Sequence, residues 1–450
     1  MHRSVNKAKG NISSVFAHLG ASKQKLEPRF QELKHQIAPA NPDILRRAFD
    51  RLLETFEKEN AEIRRRGADV IPQVAFQDIK ANGGRLPTKL LSEIRKRGAV
   101  VVRNVVDRQE AAEYKASIQE YIQRHRPYLT GFPEDNPQVW ELYWTKAQAK
   151  ARGHPNFNTT AIALNHLWHT NGNQDVPIDL TKNITYCDRL RIREPSDGQF
   201  QLQGHLDGGS LERWEDPEYR ACYTKILQGQ WEEYDPFDVT HRVEANMDLY
   251  DSPGGCSMFR NFQGWLAISR ITRDGGHLRV SPLIKEPTAY FMMKPLLEEN
   301  LGTSDFMGAW PGRGQDITPQ DHPHIVDSMI TMPDVECGDA VFWHCDQVHA
   351  VEAMNQMKTD SSVLYIPSTP LCPRSSQYLY RQRAAFESGR TPPDFPANDS
   401  EVDFTDRATP DTLNDAEKQG MGYLPFSETE AGLTAGQLRA IREHNRIMSS

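Results

Sequence analysis

The sequence predicts an α+β protein with helices in its first half and many short β-strands in its second half. Apolar residues recur at helical spacing before about residue 125. From about residue 184, β-branched and aromatic runs alternate with glycine and proline, which is typical of a sandwich or barrel. The chain has 450 residues, 38% of them hydrophobic, so it is long enough to bury a sizeable core.

Helical periodicity is clearest after Asn41-Pro42, which predicts an N-cap with proline at the first helical position. The apolar residues from Ile44 to Phe56 then share one helix face. Asp107-x-x-Glu110 resembles a capping box at the start of a later helix, and the β-branched run before it predicts a buried strand. The predicted elements are helices over 42–66, 87–97 and about 108–125 and a strand near 99–106.

These patterns divide the chain into four regions. We predict an irregular N-terminal segment over 1–40 and a helical region over 41–180 that packs on the core. A β-rich core with helical and loop insertions follows over 181–370. Residues 371–450 are expected to form a C-terminal extension of helices and loops.

The composition excludes several classes of protein. The net charge of −8 and the lack of a basic stripe exclude a nucleic-acid partner. No apolar run is long enough to cross a membrane. Six scattered cysteines without a C-x-x-C pair indicate a reducing compartment, and we expect a cytoplasmic protein. Residues 1–26 lack acids and contain several lysines and serines, so an organelle transit peptide is the alternative.

A histidine and an aspartate stand two residues apart at His205-Leu206-Asp207, surrounded by glycines. Residues i and i+2 of a strand project on the same face, so both side chains can reach one metal ion as the strand ends. Two histidines and one carboxylate with open coordination positions are typical of a non-haem Fe(II) oxygenase. The motif needs a distant histidine from another strand.

Candidates for that histidine follow Gly338-Asp339, where an aromatic stretch leads to His344 and then to His349. This stretch resembles the late strands of the phytanoyl-CoA-hydroxylase-like oxygenases, in which a second histidine comes eleven residues after the glycine. His349 has that spacing from Gly338, and Asn355 follows as an asparagine does in that branch. Phe262-Gln263-Gly264-Trp265 and Trp343-His344-Cys345-Asp346 resemble the "domain of unknown function 1479" family from about residue 28 to 425.

The resemblance implies a double-stranded β-helix, or jelly-roll, core with N-terminal helices and inserted loops. It implies that His205, Asp207 and His349 bind Fe(II), with His344 as the competing distal ligand. It further implies an enzyme, an Fe(II)- and 2-oxoglutarate-dependent oxygenase that uses O2 to hydroxylate a small molecule and releases succinate and CO2. The substrate and the oligomeric state remain unknown.

The far carboxylate of 2-oxoglutarate would need a cation, and this chain offers more than one candidate. The related branch places an arginine ten or eleven residues beyond the distal histidine, but Thr359 and Asp360 stand there. The candidates in this chain are the cations Arg279 and Lys358 and the hydroxyls of Ser361 and Ser362.

Further residues are expected to line the pocket: Arg260, Gln263, Trp265 and Trp214. Two other interpretations stay open. One is a non-catalytic jelly-roll that binds a metal and a small acid, which the missing arginine favours. The other is a cupin-like metalloenzyme that does not use 2-oxoglutarate.

Overall fold

The computed structural model describes residues 7, 9–15, 25–253 and 255–450. Its helices are α1 (Arg29–Ile37), α2 (Asp43–Arg66), α3 (Phe76–Ala81), α4 (Thr88–Arg97), α5 (Arg108–His125), α6 (Lys146–Arg152), α7 (Pro155–Asn165), α8 (Glu212–Glu215), α9 (Pro217–Ala221), α10 (Thr224–Leu227), α11 (Lys285–Met293), α12 (Pro323–Ser328), α13 (Pro373–Ser388), α14 (Asp415–Gly420) and α15 (Ala435–Met448). The strands are β1 (Gln73–Ala75), β2 (Ala99–Arg103), β3 (Gly131–Phe132), β4 (Val139–Trp140), β5 (Asp179–Asn183), β6 (Leu190–Arg193), β7 (His205–Leu206), β8 (Phe262–Ala267), β9 (Leu278–Val280), β10 (Gln315–Asp316), β11 (Ile330–Thr331), β12 (Ala340–His344), β13 (His349–Val351), β14 (Ser361–Tyr365) and β15 (Pro370–Leu371). The α+β class is confirmed.

Two β-sheets form the centre of the protein. The large sheet has eight strands in the order β1-β2-β12-β8-β14-β6-β4-β3, and the small sheet has five in the order β10-β7-β13-β9-β11. Strands β15 and β5 form a separate pair. Four strands of the large sheet, β1 to β4, come from the region predicted to be helical, so that region contributes to the sheet itself as well as covering it.

Apolar side chains fill the space between the two sheets. Trp265, Val341 and Val363 of the large sheet form one buried cluster with Leu278 and Val280 of the small sheet. Each large apolar side chain that is fully buried stabilises the fold by roughly 1.5–3 kcal/mol relative to an exposed one. The two sheets are therefore held face to face by one shared core.

Helices cover the outer faces of both sheets. On the large sheet, Ile118 of α5 and Phe157 of α7 are in one cluster with Phe342 of β12. On the small sheet, Phe56 of α2 packs edge to face on Tyr290 of α11, with ring centroids 5.8 Å apart. The resulting order of layers is helices, large sheet, small sheet, helices.

The helices predicted from periodicity are confirmed as α2, α4 and α5, and the predicted strand near 99–106 is confirmed as β2, which ends at Arg103. Asp107 is the N-cap of α5, and its carboxylate accepts from the backbone N–H groups of Gln109 and Glu110. The prediction of an irregular segment over 1–40 is wrong for Arg29–Ile37, which forms α1. This helix is held by tertiary packing, because its Phe30 ring packs against Phe306.

The described residues contain no helix that is long and apolar enough to cross a membrane. All six cysteines are free thiols. Much of the segment that prompted the transit-peptide alternative, residues 1–6, 8 and 16–24, lies outside the described residues.

The Gly338-Asp339 turn fixes the start of β12. Gly338 has a φ of 94°, and a Cβ atom there would lie 2.2 Å from the carbonyl oxygen of Val106, so glycine is required. The Asp339 carboxylate accepts from the backbone N–H of Asn104 at 2.8 Å and from that of Glu336 at 2.9 Å. The turn thereby sets the register of the strand that leads to the two candidate histidines.

A buried ion network holds the connection between β12 and β13. The Asp346 carboxylate accepts a hydrogen bond from Arg242 Nη2 at 2.5 Å and lies 3.5 Å from Arg213 Nη2. The Tyr223 hydroxyl donates to the same carboxylate at 3.2 Å. All of these side chains are almost completely buried, so none of the charges is stabilised by bulk water.

We predict that Arg242→Met lowers the free energy of unfolding by about 3–5 kcal/mol, because removal of one partner of a buried ion pair leaves the other charge uncompensated. Arg46→Met is the matched control, since the Arg46–Glu299 pair is exposed. Its cost is expected to be about 0–1 kcal/mol. Urea unfolding of both variants measures the difference, and equal costs would contradict the account.

Candidate metal centre

The strand register brings His205 and His349 side by side. Strand β7 pairs antiparallel with β13, and His205 is directly opposite His349. Directly opposed residues in an antiparallel pair project on the same face. The two imidazole rings accordingly have centroids 4.2 Å apart, and both side chains face the space between the sheets.

Backbone carbonyl groups fix the orientation of both rings. His205 Nδ1 donates to the carbonyl oxygen of Gln203 at 2.6 Å, and His349 Nδ1 donates to that of Gln347 at 2.9 Å. Because Nδ1 carries the proton in each ring, Nε2 keeps its lone pair. Metal-ligating histidines usually donate their other N–H in this way, which sets the tautomer.

Asp207 lies between the two Nε2 atoms. Its Oδ1 is 3.5 Å from His205 Nε2, and its Oδ2 is 3.3 Å from His349 Nε2. Burial acts to raise the pKa of Asp207, but the positive charge that His349 and His205 carry when they are protonated, together with the nearby Arg260 guanidinium, outweighs it. The pKa of this carboxyl is therefore held well below its usual range, and the group is an anion at neutral pH.

Gln263 positions the Asp207 carboxylate. With its amide oriented to satisfy both neighbours, its nitrogen donates to Asp207 Oδ2 at 2.6 Å. Its oxygen accepts from the Trp343 indole N–H at 3.2 Å. The amide therefore holds Oδ2, the oxygen next to His349, by a hydrogen bond and leaves Oδ1 facing His205.

These three residues fit a divalent metal. Their ligand atoms all lie within 4.8 Å of one another. Bonds of about 2.0–2.2 Å to nitrogen and oxygen donors place cis donors roughly 3 Å apart, close to the spacing found between Asp207 and each imidazole. Two neutral imidazoles with one carboxylate form the ligand set that suits non-haem Fe(II), and three protein ligands leave positions open.

His344 is in a different environment. Its Nε2 donates to the carbonyl oxygen of Pro236 at 3.0 Å, and its Nδ1 accepts from the backbone N–H of Asp346 at 3.0 Å. The ring stacks on Trp168 with centroids 4.7 Å apart, and burial lowers its pKa to about 4. His344, Cys345 and Asp346 also lie close enough to hold a metal, but both ring nitrogens and the Asp346 carboxylate are already engaged.

The three candidate ligands line a cavity of about 120 Å³ that is partly open to solvent. Arg260, Gln263 and Trp265 line it, as expected from the sequence. Trp214 does not: its side chain is buried in another cluster, where its indole N–H donates to the carbonyl oxygen of Met292.

The residues predicted to clamp 2-oxoglutarate are placed differently. Arg279 lies on β9 between Leu278 and Val280, so its side chain points away from the shared core and pairs with Glu352 at 3.4 Å. Lys358 is exposed outside the cavity. The Ser362 hydroxyl donates to Asp360 at 2.5 Å. Of the four, Ser361 is the one whose hydroxyl contacts a charged side chain of the cavity wall.

That side chain is Arg191, which sequence reasoning missed. Arg191 lines the cavity and is almost completely buried, and its Nη2 donates to Ser361 Oγ at 3.2 Å. Its Nε is buried without a hydrogen-bond partner among the described residues. Burial, followed by the nearby Arg193, lowers its pKa below the usual range, although burial alone does not neutralise a guanidinium.

Arg193, on the same strand, differs from Arg191 in its hydrogen-bond partners. It projects on the same face of β6, and it donates to the Asp197 carboxylate at 2.7 Å and to the carbonyl oxygens of Glu352 and Ala353 at 2.6 and 2.8 Å. The donors of Arg193 are used within the protein, whereas the Nε donor of Arg191 is available to a ligand. The signal in the sequence was the alternation Leu190-Arg191-Ile192-Arg193, which places both arginines on one face of a strand.

Residues 24–423 match the family described as Gig2-like. The chain belongs to this family. An uncharacterised relative, YbiU of Escherichia coli strain K12, is 32% identical over 407 residues, which cover 87% of this chain and 95% of the relative. The family match agrees with the resemblance found in the sequence motifs, because Gig2-like proteins are the family of domain 1479.

Two solved structures of the family are similar over most of their length. The crystal structure of GlcNAc Inducible Gene 2 from Candida albicans is 32% identical, with a TM-score of 0.85, and the match covers 95% of this chain and 96% of that one. The hypothetical protein JW0805 from Escherichia coli is 30% identical, with a TM-score of 0.79 and coverage of 89% and 99%. The described fold is therefore that of the family.

We predict that His349→Ala weakens binding of Co(II), used as a stand-in for Fe(II), by roughly a hundredfold or more. Loss of a residue that only supports a ligand already costs 10–100-fold, and His349 is expected to be a ligand itself. His344→Ala should leave the affinity within about threefold and instead lower stability. Calorimetric titration measures both, and a metal affinity that depends on His344 but not on His349 would contradict the assignment.

Proposed function

We propose that this protein is a non-haem Fe(II)- and 2-oxoglutarate-dependent oxygenase that hydroxylates a small molecule. The observation that carries the proposal is that one cavity contains both a candidate metal site and a buried cation. Two imidazoles and a carboxylate converge at one point of its wall, and a buried arginine that has no carboxylate partner among the described residues lies at another. The first suits a redox-active divalent metal, and the second suits a dicarboxylate co-substrate.

We further propose that the two sheets are the halves of a double-stranded β-helix. Support comes from the way in which strands alternate between the sheets along the chain: β12 is in the large sheet, β13 in the small sheet and β14 in the large sheet again. Such alternation places both His205 and His349 on the small sheet, with the large sheet opposite them. A ligand bound to the metal would then be enclosed between the sheets.

In this proposal His205, Asp207 and His349 would hold Fe(II), and the positions that they leave open would be available to 2-oxoglutarate. The far carboxylate of 2-oxoglutarate would bind Arg191 and the Ser361 hydroxyl. This replaces Arg279, Lys358 and Ser362 as clamp residues. A guanidinium that already donates to a serine hydroxyl and has a buried Nε is suited to bind a carboxylate by donating hydrogen bonds to it.

The iron and 2-oxoglutarate would supply the oxidation, in which a substrate C–H bond is hydroxylated by O2 as 2-oxoglutarate is converted to succinate and CO2. The residues of this chain hold and orient the groups. The carbonyls behind His205 and His349 keep both Nε2 atoms directed at the metal, and Gln263 holds the carboxylate. The indole rings of Trp265 and Trp343 line the cavity and exclude water from it.

The primary substrate is proposed to bind on the remaining wall. Arg260 lies there, with its Nε donating to Cys256 Sγ at 3.0 Å and its guanidinium 4.9 Å from the Tyr186 ring centroid. The nearest carboxylate oxygen of Asp188 is 3.8 Å from Arg260 Nη1, which is beyond hydrogen-bond distance.

The experiment that tests the proposal is an anaerobic titration of the Fe(II)-loaded protein with 2-oxoglutarate. We expect a saturable visible charge-transfer band. Arg191→Met should weaken 2-oxoglutarate binding by about 10–100-fold, because a charge-assisted bidentate contact is lost while the metal ligands are intact. Lys358→Met removes an exposed cation and should change the affinity by less than about twofold.

Either of two outcomes would contradict the proposal. A protein that binds Fe(II) tightly but gives no band with 2-oxoglutarate would favour a metal-binding protein or a cupin-like enzyme. A band that is weakened by Lys358→Met and unaffected by Arg191→Met would refute the proposed clamp. Release of succinate under air then serves to screen for substrates.

A further inference from the structure

A short N-terminal segment reaches the cavity that contains the candidate metal ligands. We call residues 7 and 9–15 the N-terminal strap. Ile12–Ser14 form a single turn of 3₁₀-helix, and the side chains of Ile12 and Val15 line the cavity together with His205 and His349. The strap lies well before the predicted core in sequence, so its presence in the cavity wall depends on tertiary contacts.

Three separate anchors tie the strap to the body of the protein. Lys7 Nζ donates to Asp248 Oδ2 at 3.1 Å and to the carbonyl oxygen of Ser252 at 2.6 Å. Asn11 Nδ2 donates to the carbonyl oxygen of Gly131 at 3.1 Å.

The third anchor comes from the C-terminal region, where Asn398 Nδ2 donates to the carbonyl oxygen of Gly10 at 2.8 Å. All three anchors lie just before the turn that carries Ile12, at Lys7, Gly10 and Asn11.

Ile12 fills an apolar hollow beside the metal ligands. It is only 6% exposed and forms one cluster with Val139, Phe200, Leu202 and Val351. Val351 is two residues beyond His349 on β13, so its side chain projects on the same face as that ligand. The apolar hollow is therefore directly adjacent to the candidate metal site.

The strap has little structure of its own to keep it there. One turn of 3₁₀-helix is not stable in isolation, and a segment held by a few hydrogen bonds and two apolar side chains, Ile12 and Val15, opens more readily than the sheets behind it. By contrast, the walls of the hollow belong to the body of the protein, since Val351 N–H donates to the carbonyl oxygen of Leu202 at 2.8 Å.

We propose that Ile12 occupies part of the primary-substrate site, and that a substrate carrying an aliphatic group of similar size reaches the metal by displacing the strap. The assignment of this hollow to a substrate rests on the proposed function. The contact is autoinhibitory: the strap closes the cavity until a substrate competes for the hollow. Ile12 thus also selects substrates. A ligand without an aliphatic group makes no apolar contacts in the hollow, so its binding cannot offset the cost of displacing the strap.

The reactivity of the Cys256 thiol can report whether the strap closes the cavity. Its side chain lines the cavity and is 7% exposed. The strap is anchored close to it: Lys7 pairs with Asp248, and Asp248 packs against Gly255 so closely that a Cβ atom there would lie 2.0 Å from Asp248 Oδ1. Cys372 is fully buried outside the cavity and serves as an internal reference for unfolding.

The test measures the rate at which N-ethylmaleimide labels Cys256 in the full chain, relative to Cys372, by peptide mass spectrometry. We expect Ile12→Asp to raise the relative rate at least fivefold, because a charge is expelled from the apolar hollow. Lys9→Asp alters an exposed position of the same strap and should leave the rate within twofold of the unmodified chain. Ile12→Ala is measured in parallel and should raise the rate by a smaller factor.

A second step tests whether the hollow accepts an aliphatic group from outside. A synthetic peptide with the sequence of residues 7–15 is added to the Ile12→Asp chain. It should restore protection of Cys256, and the same peptide with alanine at the position of Ile12 should not.

Unchanged labelling in both Ile12 variants would overturn the strap as a closure. Faster labelling that neither peptide suppresses would overturn the hollow as a site for an aliphatic group. If Ile12→Asp also accelerates labelling of Cys372, the chain has unfolded, and the Ile12→Ala rate decides. The readout needs neither metal nor 2-oxoglutarate, so a negative result here is distinct from failure of the oxygenase proposal.

Discussion

The pairing of β7 with β13 is the constraint on which the candidate site depends. It sets His205 opposite His349 and gives both imidazoles the same direction. Each ring is then fixed by a carbonyl oxygen two residues earlier in its own chain segment, Gln203 for one and Gln347 for the other. A shift of the register by one residue would turn one imidazole to the opposite face of the sheet, and the three ligand atoms could no longer meet.

Several features of the fold serve this register. The Gly338-Asp339 turn starts β12 at a fixed position, and the buried Asp346 network holds the connection that leads to β13. His344 belongs to this supporting structure, since both of its ring nitrogens bond to the backbone. The neighbouring histidines of this stretch therefore have different environments: His344 helps to form the strand connection, and His349 faces the cavity.

The sequence was sufficient for the features that depend on local pattern. Helices α2, α4 and α5 follow from apolar periodicity and an N-cap, and His205-x-Asp207 follows from the two-residue repeat of a strand.

The sequence was insufficient where function depends on which strands are neighbours. Arg191 is on β6, which pairs with β14, so the arginine contacts Ser361 from a strand 170 residues earlier. Lys115 instead pairs with Asp360, one of the two positions where the related branch has its arginine. The position of Ile12 in the cavity could not be predicted from the sequence either, because residues far along the chain hold the strap there.

Iron X-ray absorption on the anaerobic, Fe(II)-loaded full chain would identify the metal ligands directly. We expect scattering from two imidazoles and oxygen donors, with one imidazole lost in His349→Ala and both kept in His344→Ala. A spectrum with sulfur donors or a third imidazole, or one in which His344→Ala removes an imidazole, would contradict the assignment of His205, Asp207 and His349 as the metal ligands.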